Sequence, residues 1–143
     1  MDRCLPVVVA TMDDNSYIGD YSLSNLQRLA DGNIDFTIEM LQIYLENADK
    51  DFSGLKESCR DNDLELTGAL AHKLIPANQY LHLISLVIIL KDIEINAKMS
   101  QDSKALTQLV EQAVNAYSRV RPIIISDLNK LKLDKIFNQT ITI

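Results

Sequence analysis

Between Ile34 and Cys59 the apolar residues fall at Ile34, Ile38, Leu41, Leu45, Ala48, Phe52, Leu55 and Cys59, in steps that alternate between four and three. Steps of that size draw one stripe down an α-helix. The spacing predicts a helix over 34–60, with Glu39, Gln42, Glu46, Asp49, Lys50 and Glu57 on its solvated side and Gly54 off the stripe. Ahead of it, Ser24 to Ala30 reads as a short helix, with Ser24 and Gln27 forming a capping box and Asp31-Gly32-Asn33 ending it. Asp61-Asn62-Asp63 breaks the chain again and caps a third helix over 64–82. Its stripe is Leu66, Leu70, Leu74, Ala77 and Leu81.

A fourth helix follows from Leu83 to Met99, with Leu83, Leu86, Val87, Leu90, Ile93 and Ala97 inward. Ile84, Ile88 and Ile89 make it apolar nearly all round, so it is expected to be the most enclosed helix. Ser100-Gln101-Asp102-Ser103 opens a fifth, with Leu106, Leu109, Val110, Ala113, Tyr117 and Val120 inward. Pro122 predicts a kink, and Ile124, Leu128 and Leu131 continue the spacing to about Lys130. Long amphipathic helices joined by short connections predict an all-α fold, an antiparallel up-and-down four-helix bundle over residues 21–131 with a short N-terminal helix. Residues 1–20 and 132–143 read as extended tails.

Composition narrows the function classes. The chain has 143 residues, enough for one domain with a real core. A formal net charge of −6 argues against nucleic acid, whose binding rests on clustered Lys and Arg. The most apolar run, Leu81 to Leu90, is about half of the roughly 20 residues that a membrane span needs. No basic amphipathic segment suggests a membrane surface. Leu5 to Ala10 is too short for the apolar part of a signal peptide. Cys4 and Cys59 form no metal or redox motif and fit a reducing compartment, Cys59 as a small core residue. The expectation is a cytoplasmic protein without a membrane partner.

Motifs for catalysis are missing. The chain has no phosphate-cradling glycine loop, no zinc-type Cys/His spacing and no Gly-x-Ser-x-Gly elbow. His72 and His82 lie too far apart around one helix to share a metal. The histidine that stands out is His72, on the opposite side of the third helix from its apolar stripe. Gly68, Ala69, Ile75 and Pro76 lie one turn before and after it. A glycine and a proline are both poor helix residues, and such misfits cluster at functional sites. A neutral imidazole offers a ring nitrogen that can attack phosphorus with no base to deprotonate it first. Phosphoryl transfer then needs chiefly alignment and nearby positive charge. A solvent-exposed histidine without function is the plain alternative.

Ala71-His72-Lys73-Leu74, followed by Pro76 and Leu81, resembles the signature of histidine-containing phosphotransfer (HPt) domains, the four-helix carriers of multistep two-component phosphorelays. Tyr21-Ser22-Leu23 through Asp31-Gly32-Asn33, then Phe36 and Met40-Leu41, is similar to the way that family opens its bundle. The resemblance covers roughly residues 21–130. It implies a phosphocarrier in signal transduction, not an enzyme: phosphohistidine forms on His72 and the phosphoryl group passes between receiver-domain aspartates. The implied partners are response-regulator receiver domains, including that of a hybrid histidine kinase. Mg²⁺ belongs to the receiver, and the carrier has no cofactor of its own. Lys73 and Gln79 would support the phosphoryl group or the ring, and Gly68, Ala69, Ile75 and Pro76 would form the docking surface. Lys73 can also be read as a solubilising charge and Gln79 as an idle surface amide.

Two positions depart from the family pattern. Ile75 stands where a lysine is usual, which removes a charge beside the phosphoryl group. His82 stands where a glycine is usual, at the turn after the helix. Both leave open a degenerate bundle that binds receivers without carrying phosphate.

Overall fold

The computed structural model describes residues 21–99 and 103–141, except the side chains of 139–141. Five helices hold nearly all of them: α1 Ser24–Ala30, α2 Ile34–Arg60, α3 Leu64–Tyr80, α4 Ile84–Met99 and α5 Ser103–Ile141. No strand occurs among the described residues, and the fold is all-α. The expected tail at 1–20, with Cys4, lies outside the described residues, as do residues 100–102 of the expected break.

The helix boundaries follow from local chemistry. Each of the three short turns contains a left-handed residue, Asp31 at φ 52°, Asn62 at φ 62° and His82 at φ 59°, and Gly32 follows Asp31 at φ 81°. The Asn33 side chain accepts from the Phe36 N–H and the Asp63 side chain from the Leu66 N–H. Each such cap is worth about 1 kcal/mol. The start of α1 differs from the expected capping box. Ser24 is already helical, Leu23 is the N-cap, and the Ser24 N–H is taken by the Ser22 hydroxyl.

The long stripe of α2 is buried from Ile38 through Leu55, with Ile34 and Cys59 half-buried at its ends. Beside it runs a second buried column that hydrophobicity does not mark: Thr37, Tyr44, Asp51 and Ser58, each two turns after the last. Three of these meet α3. The Tyr44 hydroxyl donates to Asn78 at 2.8 Å, Lys73 reaches Asp51 at 3.3 Å, and the Ser58 and Thr67 hydroxyls lie 2.8 Å apart. A buried polar group left unpaired is costly, so these pairs hold the register of α2 on α3.

The inward face of α3 is correspondingly rotated from the expected one. Thr67, Gly68, Ala71, Leu74 and Asn78 are buried, while Leu66 is 46% exposed and Leu70 and Ala77 are half-buried. Small and polar residues occupy core positions because α2 and α4 approach α3 closely. An added Cβ on Gly68 would sit 3.3 Å from the Ala97 Cβ of α4.

The six residues expected to face inward are all buried, Leu83 just before α4 and the other five within it, together with Ile89. α4 is not fully enclosed: Ile84, Ile88 and Ile95 are exposed, because only α3 and α5 among the long helices pack against it. α2 likewise packs on α3 and α5, and α1 on α2. α5 passes through Pro122 and stays helical to Ile141, so residues 132–141 are not the loose tail that their weak periodicity suggests. Pro122 is tolerated because it and Ser118, whose carbonyl loses its helical donor, both face solvent. Lys135 near the end of α5 pairs with Asp35 in the first turn of α2.

The acidic side of α2 is exposed; Glu57 pairs with Arg60 of the same helix at 3.8 Å, and Asp49 reaches across to α5. Asp49 accepts from Arg121 at 2.7 and 2.8 Å and from the Tyr117 hydroxyl. The Arg121 guanidinium, helped by that hydroxyl, holds the Asp49 carboxyl below the usual carboxylate range. Tyr117 stacks on Phe52 with ring centroids 4.5 Å apart. Among the described residues, no helix is long and apolar enough to cross a membrane.

Candidate functional site

The missing side chain of Gly68 sets the site. Because α3 and α4 nearly touch there, His72, one turn further along α3, comes within reach of α4. Its Nδ1 lies 2.9 Å from Glu94 Oε2. The imidazole is 73% exposed and the Glu94 side chain only 20%. The ring is therefore presented to water while the carboxylate that orients it is sheltered. Lys98, one turn along α4, places its Nζ 3.5 Å from the same Glu94 oxygen. His72, Glu94 and Lys98 share a shallow groove whose floor is Gly68 and Ala97, with Ala69 on its rim.

This geometry selects a ring tautomer. A carboxylate at Nδ1 favours the N–H on that nitrogen, which leaves the lone pair on Nε2. Glu94 would also stabilise the positive charge that develops on the ring when Nε2 attacks an electrophile.

The other residues singled out in the sequence scatter around His72. Ala69 and Pro76 are exposed one turn either side of it. Gly68 is buried and acts by closeness to Ala97, not as exposed surface. Ile75 is half-buried against the core. Lys73 is 60% exposed but tied to Asp51 of α2, whose side chain is only 5% exposed. Gln79 is exposed on the same side of α3 as His72, yet about 10 Å further along the axis, beyond contact with the ring. It lines a separate shallow groove with Asn25, Arg28 and Tyr80. His82 lies at the left-handed turn after α3.

Pro76 has no N–H to give the His72 carbonyl, so that carbonyl loses its helical donor at the exposed surface. On the side of α3 away from Glu94, a groove of about 380 Å³ opens between α1, α2 and α3. Leu29, Ile43, Pro76 and Tyr80 line it, with Asp51 and Lys73 as its charged pair.

Glu94 and Lys98 were not singled out by sequence. They stand on another helix, in a stretch whose apolar pattern marks only the core, and no local motif connects them to His72. The weak signal is that both fall on one flank of α4, one turn apart. No group of three or more His, Cys, Asp or Glu among the described residues is placed to hold a metal ion.

Comparison with known proteins finds no match: no family model, no curated protein and no solved structure is significantly similar to the chain.

Proposed function

We propose that the chain is a histidine phosphotransfer protein, with His72 Nε2 as the atom that takes and gives the phosphoryl group. The observation that carries this reading is the exposed imidazole with Nδ1 held 2.9 Å from a sheltered carboxylate. The sequence around His72 supports it through its likeness to the HPt signature. The cross-helix pairs support the matching architecture. Residue numbers rise on α2 as they fall on α3 from Tyr44–Asn78 to Ser58–Thr67, and likewise for Cys59–Thr107 and Asp49–Arg121 on α5. Such pairing fits an up-and-down antiparallel four-helix bundle.

In the proposed transfer, an aspartyl phosphate on a receiver domain is brought in line with Nε2. The Nε2 lone pair forms the N–P bond as the P–O bond to the aspartate breaks, and the electron pair leaves on the carboxylate oxygen. The Nδ1 proton stays between the ring and Glu94. The return step runs the same path toward a second receiver aspartate. The chain supplies the nucleophile and its orientation. Mg²⁺ and the groups around the aspartate come from the receiver, so the chain is a carrier and not an enzyme. Lys98 supplies a positive charge beside the site that Ile75 does not. The apolar groove bordered by Pro76 and Tyr80, together with Ala69, is the surface offered to the receiver. Such a carrier works in the cytoplasm, between the receiver of a hybrid kinase and a response regulator.

The test is incubation of the wild type and His72→Gln with a phosphorylated receiver domain. Acid-labile label on the wild type alone is expected. Equal labelling of both proteins, or of neither, rejects the carrier. A second reading, a bundle that docks receivers without accepting phosphate, is favoured by a groove built without His72. Receiver binding that survives His72→Ala with no labelling selects it.

A further inference from the structure

The side of α4 that faces away from the bundle carries an apolar stripe from one end of the helix to the other, broken only at its middle. Ile84, Ile88, Ile95 and Met99 are 40, 56, 54 and 59% exposed. Positions 84, 88, 91 and 95 are spaced four, three and four, the seam spacing of paired helices. Scattered apolar side chains on a surface are ordinary, but a straight stripe of them marks a contact face. Lys91 alone interrupts the stripe, and Asp92 stands beside it. Neither has an ion-pair partner among the described residues.

We propose that this face is a homodimer interface, in which α4 packs against the partner's α4 in antiparallel orientation about a two-fold axis between Lys91 and Asp92. The sequence reads the same way from both ends about that point. Ile84 falls opposite the partner's Met99, Ile88 opposite the partner's Ile95, and Lys91 opposite the partner's Asp92. Two-fold symmetry repeats every contact, so two opposite-charge pairs sit at the centre, flanked by apolar pairs. A parallel pairing would instead set Lys91 against the partner's Lys91, a like-charge clash that selects against it.

One pair of four-turn helix faces covers less than the roughly 1,600 Å² of a standard interface, so the dimer is weak and reversible. The stripe lies about 110° around α4 from Glu94, which leaves the His72 groove open in the dimer. The inference rests on α4 alone and is independent of what His72 does.

Sedimentation velocity on the full chain, from low micromolar to near-millimolar concentration, tests it. The wild type is expected to move reversibly from monomer to dimer, and Ile88→Glu with Ile95→Glu is expected to stay monomeric with unchanged helix content. Lys91→Asp and Asp92→Lys are each expected to weaken association about tenfold or more, and an equimolar mixture of the two to recover it. Wild type that stays monomeric throughout overturns the proposal. So does a dimer indifferent to the Ile88 and Ile95 substitutions, and recovery that fails in the mixture overturns the antiparallel register.

Discussion

Glu94 decides how His72 can react, because a side chain on α4 fixes which nitrogen of a ring on α3 is left bare. A hydrogen bond to a charged group is worth about 1.5–3 kcal/mol. Glu94→Ala is therefore expected to slow phosphoryl transfer to His72 by roughly 10- to 100-fold. Glu94→Gln, which keeps an oxygen acceptor, is expected to lose less. Rapid-quench transfer from a phosphorylated receiver measures both, and full-rate Glu94→Ala removes Glu94 from the account. Lys73 stands differently. Its partner is the buried Asp51 carboxylate, so Lys73→Ala strands a charge in the bundle. Because Lys73 itself is largely exposed, the expected loss is about 1–3 kcal/mol in urea unfolding, below the cost for a fully buried pair. Only a small change in transfer is expected with it. The position of His72 on an exposed helix face was legible from the sequence, since it depends on spacing within one helix. The partners of His72 and Lys73 were not, because each lies on a neighbouring helix whose angle about its own axis no local pattern fixes.

At the scale of the helices, the stripe of α2 was legible because large apolar residues carry it without a gap. The buried face of α3 differs from the expected one by part of a turn because its core positions hold Thr67, Gly68, Ala71 and Asn78, which a stripe of large apolar residues does not mark. Their burial is set by hydrogen bonds and close helix approach, neither of which hydrophobic spacing encodes. Two glycines separate the effects. Alanine for glycine in a helix gains about 1 kcal/mol where space permits. A Cβ on Gly54 would meet only the tip of Leu70 at 3.2 Å, whereas one on Gly68 would meet Ala97 Cβ, fixed to the α4 backbone, at 3.3 Å. Gly54→Ala is expected to keep much of that gain, and Gly68→Ala to lose it and weaken the His72–Glu94 contact. Thermal unfolding of the two variants ranks them, and equal gains would contradict the close approach of α3 to α4. The polar column has a parallel test. Tyr44→Phe leaves the Asn78 oxygen buried without its donor, an expected loss of about 1–3 kcal/mol. A Tyr44→Phe protein as stable as the wild type would show that this pair does not hold the register.

For the molecule as a whole, the all-α class and the number of long helices were legible from periodicity and from the turn residues between them. The helical run to Ile141 was not, because beyond Leu131 its residues no longer pack a stripe against the bundle; Leu133, Ile136 and Phe137 are all exposed. Stability against pH reports how α2 is joined to α5. The Asp49 carboxyl is lowered in the folded chain, chiefly by Arg121. Its stabilising effect is present above the unfolded carboxylate value and is lost as the pH falls through the lowered one. Asp49→Asn is expected to lower the Tm at neutral pH, with the gap closing in acid; a gap that widens in acid contradicts the pairing. The central claim, that a single ring nitrogen held outward by Glu94 carries the phosphoryl group, is tested most directly by ¹⁵N and ³¹P NMR of the chain after incubation with a phosphorylated receiver. The account predicts one phosphohistidine, His72 substituted at Nε2 with Nδ1 still protonated. Phosphate on Nδ1, on another residue, or on none would contradict it.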